Sequence, residues 1–278
     1  MLCLLPKKTL IAGPYMGEFG WELMEWQGYI RKLRQRYERT IVISYPPSEY
    51  LYEECEFAPH GASLRDSGFA YGDTPIEAQL RIVEDVARER GVDHYDSLAP
   101  LKLHRWLKLL IGGQDFRRLR EPAEPEDIFD VAFHFRAFVR ADGDFKNYPL
   151  SDAQRVIDGC RAQGLRVACI GHPDLSIAPP PAEDRRSTDL RVAVRIISNA
   201  RLMAGGSSAP MHLASLCATP MAVWTGPPFN ADRYRTTWNP HRSPVTVVSE
   251  FTFRPSADAV ISAVFAALDT AVPYKEIT

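Results

Sequence analysis

The sequence predicts an α/β protein of two domains, and three observations carry that reading. Short apolar runs alternate with helical patterns from Thr9 onward. A charged, proline-stiffened stretch, Glu121-Pro122-Ala123-Glu124-Pro125-Glu126-Asp127, interrupts the alternation, and beyond it the strand and helix order starts again. Alternating strands and helices imply a parallel sheet covered on both faces, whose ligands sit beyond the carboxyl ends of the strands.

The elements follow in order. Residues 9–12 form a buried strand that runs into a glycine-punctuated loop over 13–20 and an amphipathic helix over 21–36. A second strand spans 40–44. Proline, glycine and aromatics make 45–74 a region of loops and short elements, and a helix over 75–90 is stopped by Gly91. After the linker come a strand at 129–135, a helix at 151–163, a strand at 166–170, a helix at 189–200 and a strand at 201–204. A glycine-serine loop leads into a helix over 210–217, then a strand at 221–224 and a closing helix at 256–271. The predicted domains are residues 1–121 and 128–278, joined by 121–127.

Bulk properties narrow the class. Of 278 residues, 45% are hydrophobic and 24% charged, enough apolar material for a core and too much for disorder. A formal charge of −2 supplies no overall drive toward nucleic acid or anionic membranes. Cys3, Cys55, Cys160, Cys169 and Cys217 are odd in number and scattered, which suits a reducing cytoplasm rather than a disulfide framework or a zinc site. The first residues lack a basic leader, a full apolar core and a cleavage site, and no apolar run reaches the roughly 20 residues of a membrane span. Any membrane-linked acceptor would be met from the aqueous side.

The segment with most chemistry is Gly205-Gly206-Ser207-Ser208-Ala209-Pro210-Met211-His212. The glycines let the backbone turn and approach a ligand, Ser207 or Ser208 can cap the helix, and Pro210 sits in the first turn, where a missing N–H costs nothing. Free N–H groups and the positive helix end then form a site for a diphosphate. An ordinary strand-to-helix turn with a serine cap fits the same residues.

These residues resemble a family. From Asn199 to Ala214, and again from Ala218 through Trp224-Thr225-Gly226-Pro227, the chain is similar to the donor site of heptosyltransferase-like glycosyltransferases; Trp238-Asn239-Pro240 extends the resemblance. It implies the GT-B architecture, two Rossmann-like domains whose parallel sheets face a central cleft, with a nucleotide-diphosphate sugar as donor substrate and neither metal nor other cofactor. The family usually carries Asp where this chain has Ser207, and Gly where it has Ala209. Backbone phosphate binding survives both changes.

The resemblance assigns further roles. In Gly13-Pro14-Tyr15-Met16-Gly17-Glu18-Phe19-Gly20-Trp21-Glu22, Gly17-Glu18 is nearest to the Gly-Asp whose carboxylate takes the acceptor proton; Glu22 competes for that role. Tyr15 and Trp21 are candidates for the acceptor side, and Trp21 with Trp26 suits a platform or a core. In Val131-Ala132-Phe133-His134-Phe135-Arg136, strand alternation puts His134 and Arg136 on one face. His-x-Arg there resembles fucosyltransferase-type GT-B enzymes, in which the arginine neutralises the leaving diphosphate; Lys146 is a second cation. Gly171 and His172, in Gly171-His172-Pro173-Asp174, match a loop that lines nucleobase and ribose. His212 lies about one turn into the phosphate helix, within reach of phosphate or sugar, although a packed histidine fits equally. Asp142-Gly143-Asp144 has a metal-binding D-x-D form but reads as a solvated turn.

The resulting expectation is an inverting, metal-independent transferase. It moves a sugar from a nucleotide-sugar donor to the hydroxyl of a glycan, a lipid-linked, a small-molecule or a modified-DNA acceptor. A GT-B epimerase or hydrolase of the nucleotide-sugar, a non-catalytic nucleotide-sugar or glycan binder, and a DNA hydroxymethylpyrimidine glycosyltransferase fit the same motifs. Nucleotide, sugar, acceptor and oligomeric state are not fixed by the sequence.

Overall fold

The computed structural model describes residues 9–62, 74–100, 105–139 and 143–270. The chain forms two compact units, Met1–Arg117 and Arg118–Thr278.

In the first unit β1 (Thr9–Ala12) leads into α1 (Phe19–Trp21), a π-helical segment Glu22–Trp26 and α2 (Gln27–Arg34). Then follow β2 (Arg39–Ser44), a 3₁₀ helix Pro46–Tyr52, β3 (Glu56–Pro59), α3 (Ile76–Glu89), β4 (Asp96–Leu98) and α4 (Arg105–Ile111). The four strands are parallel, in the order β3-β2-β1-β4. Leu10, Ile11, Ala12, Ile41, Val42 and Ile43 are buried, as strands covered on both faces require. Ile11, Ile41, Ile43 and Ala58 pack with Val83, Val86 and Ala87 of α3. β3 was hidden in the sequence because Glu-Phe-Ala-Pro is short, charged at its start and ends in proline, a composition confined to sheet edges.

The second unit contains β5 (Val131–Arg136), α5 (Leu150–Ala162), β6 (Val167–Cys169), β7 (Ser176–Ile177), β8 (Glu183–Asp184) and α6 (Leu190–Asn199). β9 (Leu202–Gly206), α7 (Ala209–Cys217), β10 (Met221–Trp224), α8 (Pro228–Arg235), β11 (Val245–Ser249) and α9 (Ala257–Thr270) complete it. The parallel strands run β11-β10-β9-β5-β6-β8, and only the two-residue β7 pairs antiparallel, against β5. The expected strands and helices of this unit appear with their ends shifted by a residue or two. β7, β8, α8 and β11 were not expected. Residues 121–127 are not a free tether: Asn199 donates to the Glu121 carbonyl at 2.8 Å, and Arg166 donates to the carbonyls of Pro125 and Glu126. Val131, Phe133 and Phe135 pack with Val156 and Ile157 of α5 and Val260 and Val264 of α9.

Counting only the parallel strands along each unit, and so leaving out β7, the orders are 3-2-1-4 and 3-2-1-4-5-6, those of doubly wound sheets. Such sheets leave a crevice at the switch point, where the order reverses. That point lies between β1 and β4 in the first unit and between β5 and β9 in the second.

Candidate functional site

The carboxyl ends of β5 and β9 carry the polar groups of the second unit. Gly205 pairs with His134, and Gly206 with Trp224, so both glycines belong to the strand and not to the turn the sequence suggested. What they supply is the absence of a side chain. A Cβ on Gly205 would lie 3.1 Å from the His134 carbonyl oxygen, and one on Gly206 3.0 Å from the Trp224 indole nitrogen.

Ser208 occupies the N-cap of α7 but makes no side-chain cap bond. Its hydroxyl instead donates to the Gly206 carbonyl at 2.8 Å and meets His134 Nδ1 at 3.1 Å. A serine hydroxyl has one proton, so with that proton on Gly206 the imidazole must donate from Nδ1. Burial, and then Arg136 nearby, push the His134 pKa down to about 3, which keeps the ring neutral.

The helix end is also poorer in amide donors than expected. Ser207 gives its N–H to the Trp224 carbonyl, Met211 and His212 give theirs to Ser208, and Pro210 has none. Among the described residues, the amide of Ala209 is left in that first turn. Anion binding here therefore leans on side chains. Arg136, Lys146, Ser207, Ser208, His134 and Tyr148 line a shallow surface depression together with Gly206 and Trp224. Lys146 lies beside the paired rings of Phe145 and Phe253, with its Nζ 5.5 and 5.7 Å from their centroids.

Three other sequence candidates lie in the second unit. Gly171 has a φ of 127°, and a Cβ there would lie 2.8 Å from His134 Cδ2, so the glycine seats the histidine ring. His172 is half-buried at the end of β6 and accepts from the Asp174 amide at Nδ1. His212 is buried, stacked on Tyr234 with centroids 5.3 Å apart and edge-on to Trp238. Burial lowers its pKa to about 3, and its Nδ1 has no hydrogen-bond partner.

In the first unit the loop after β1 is fixed by its carbonyls. His60 Nε2 bonds the Tyr15 carbonyl at 2.7 Å, Tyr45 donates to that of Gly17, and Tyr15 donates to that of Glu18. Gly13, with φ 125°, begins the loop against the Ile43 carbonyl oxygen, which a Cβ would approach to 2.3 Å. Glu18 is half-buried at the N-cap of α1, and Trp21 is half-buried in that helix. Tyr15 and Trp26 are fully buried. So is Glu22, whose carboxylate accepts from Ser44 at 2.5 Å, Ser48 at 2.8 Å and Tyr52 at 2.9 Å. Burial outweighs these bonds and raises its pKa to about 7. Asp142 of the D-x-D sequence lies outside the described residues. No group of three metal-binding side chains occurs among the described residues, and no described helix is long and apolar enough to cross a membrane.

Sequence reasoning missed Tyr148, Trp224 and Tyr234. Packing buries the first two, with the Tyr148 hydroxyl on the Pro255 carbonyl, and only the fold brings them beside Gly206. Tyr234 lies on α8, whose pattern is too weakly amphipathic to announce a helix.

No protein-family model matches the sequence, and no curated protein matches it. Among solved structures the chain is similar to the glycosyl transferase family 9 protein of Veillonella parvula: 13% identity and a TM-score of 0.58 over 94% of this chain and 97% of that one. It is similar to E. coli ADP-heptose lps heptosyltransferase II at 14% identity and a TM-score of 0.60, over 94% of this chain and 98% of that one. E. coli heptosyltransferase WaaC with ADP-2-deoxy-2-fluoro heptose gives 12% identity and 0.56 over 93% and 99%. These likenesses define the fold class as GT-B. At such identities they define the fold alone.

Proposed function

We propose that this protein is a glycosyltransferase that takes a nucleotide-diphosphate sugar as donor and an acceptor hydroxyl as nucleophile. The observation that carries the reading is the cluster of Arg136, Lys146, Ser207 and Ser208 at the switch point of a sheet with dinucleotide-binding strand order. Cations and hydroxyls gathered at one strand edge suit the two charges of a diphosphate. The fold it shares with the E. coli heptosyltransferases supports the same reading.

The second unit holds the donor and the first the acceptor. Glu18 takes the proton of the acceptor hydroxyl, whose oxygen bonds to the anomeric carbon. The bond from that carbon to the diphosphate oxygen breaks, the electron pair leaves with the diphosphate, and attack from the opposite face inverts the centre. Arg136 and Lys146 offset the charge that develops on the leaving group. Glu18 suits the base because it is solvent-accessible on a loop whose carbonyls are pinned, whereas Glu22 is fully buried and bound by three hydroxyls. Tyr15 supports the loop, and Trp21 is the aromatic left to face an acceptor. His172, at the end of β6, lies where the nucleoside extends from the diphosphate. Transfer needs no metal, so EDTA leaves the rate unchanged.

A thermal-shift screen against UDP, GDP, ADP, CMP and TDP sugars tests the donor site. Binding at 100 times Kd adds about 2.7 kcal/mol of stability, and no stabilisation by any of them would leave the reading without support. With the donor known, Glu18→Ala and Arg136→Ala should each slow transfer by roughly 10² to 10³. The two differ in binding: Glu18→Ala keeps the donor-induced stabilisation, and Arg136→Ala loses most of it. Full transfer activity in Glu18→Ala would remove Glu18 as base.

A further inference from the structure

The two serines of the Gly205-Gly206-Ser207-Ser208 segment are in different hydrogen-bonding states. Ser208 is spent on the protein. Its hydroxyl proton goes to the Gly206 carbonyl at 2.8 Å, and its oxygen meets His134 Nδ1 at 3.1 Å. Ser207 receives a bond from the Tyr234 hydroxyl at 3.2 Å, and its own hydroxyl proton has no acceptor among the described residues. Ser207 lines the same depression as Arg136 and Lys146. A hydroxyl that accepts at its oxygen is a stronger donor through its hydrogen, because bonds in a chain polarise one another.

Tyr234 is built to stay where it is. The side chain is fully buried, stacked on His212 and edge-on to Trp238 at 5.3 Å. Trp238 is fastened in turn through its carbonyl, which accepts from Ser215 at 2.6 Å. Burial holds the phenol protonated, well above the usual phenol range.

We propose that Ser207 is the hydroxyl that donates to a non-bridging diphosphate oxygen, and that Tyr234 is its positioning residue, reaching the ligand only through Ser207. This rests on the donor-site reading above and adds to it a division of labour. Ser207 recognises, Ser208 braces the strand end against His134, and α8, an element outside the sheet, aims the recognising group. The ligand class is a diphosphate anion with at least one oxygen exposed to a neutral donor at an edge that also carries two cations.

The test is a calorimetric double-mutant cycle with inorganic pyrophosphate as probe, on Ser207→Ala, Tyr234→Phe and the double variant. A hydrogen bond to a charged oxygen predicts that Ser207→Ala weakens binding about tenfold to a hundredfold. Tyr234→Phe should weaken it about threefold to tenfold, the scale of one neutral hydrogen bond, and add nothing further in the Ser207→Ala background. Ser207→Thr, which keeps the hydroxyl, should recover most of the loss. Unchanged thermal unfolding with pyrophosphate absent separates this from a packing defect. If Ser207→Ala binds like the wild type, or the Tyr234→Phe loss persists in full without Ser207, the assignment is overturned while the donor site stands. If the wild-type protein binds neither pyrophosphate nor any nucleoside diphosphate, the donor-site reading itself fails.

Discussion

The two units share a topology and differ in what they place at its switch point. In the first unit the loop after β1 carries Glu18, and Glu22 lies behind it under three hydroxyls. In the second, Arg136, neutral His134 and two serines stand at the ends of β5 and β9, and Lys146 lines the same depression. Strand order decides where a sheet opens to a ligand; the residues at the opening decide the sign of charge it accepts. A carboxylate edge suits proton removal, and a cationic edge suits a leaving anion. The supporting layers differ as well. The first unit buries an acid that favours its protonated form, and the second buries imidazoles that favour their neutral form.

Each edge also depends on one glycine in a left-handed conformation, and the largest expected effect separates the two. A Cβ on Gly13 would sit 2.3 Å from the Ile43 carbonyl oxygen, an atom of the strand β2 itself. One on Gly171 would meet Ser176 Oγ at 2.7 Å and His134 Cδ2 at 2.8 Å, both of which can rotate away. Gly13→Ala should therefore cost about 3 kcal/mol or more in urea unfolding, and Gly171→Ala about 1 to 2 kcal/mol. Gly171→Ala should also weaken pyrophosphate binding by displacing the His134 ring. A larger stability loss at Gly171 than at Gly13 would mean that the second edge, not the first, is the rigid one.

The comparison also separates what the sequence made legible from what it did not. Strands such as Leu10–Ala12 and Met221–Trp224 are buried on both faces, so an unbroken apolar run announces them. β7 and β8 are two residues each and leave no period to find. Arg136 was visible because alternation along β5 puts it beside His134 at a strand end. The hydrogen bonding of the serine loop was not, because it depends on Trp224 supplying a carbonyl and Tyr234 a hydroxyl from elements later in the chain. For the same reason Glu18 and Glu22 look equivalent in sequence. Only the return of β2 and its 3₁₀ helix brings Ser44, Ser48 and Tyr52 over Glu22 and buries it.

Opposite buried groups make opposite demands on pH. His134 and His212, held at about 3 against an ordinary 6.5, contribute stability that is present above pH 6.5 and is lost as the pH falls toward 3. At pH 5 that loss is about 2 kcal/mol for each. Glu22, raised from 4.5 to about 7, contributes stability that is present below pH 4.5 and is lost as the pH rises through 7. Between pH 7 and pH 5 it returns about 2 kcal/mol to the first unit. His60, lowered by burial, works against it there. Hydrogen exchange of amides in β5 and β9 should thus lose protection on going from pH 7 to pH 5, after correction for intrinsic rates, while amides in β1 and β2 lose less or gain.

Glu22→Gln gives the smallest and most specific effect. The amide keeps an oxygen for the hydroxyls and removes the titration, so the first unit should lose its acid-side gain and follow His60 alone. The second unit should not change its pH dependence. If Glu22→Gln left the β1 and β2 protection profile as it was, the buried carboxylate would not set the pH response of this edge. The contrast between the two units would then reduce to the charges exposed at their switch points.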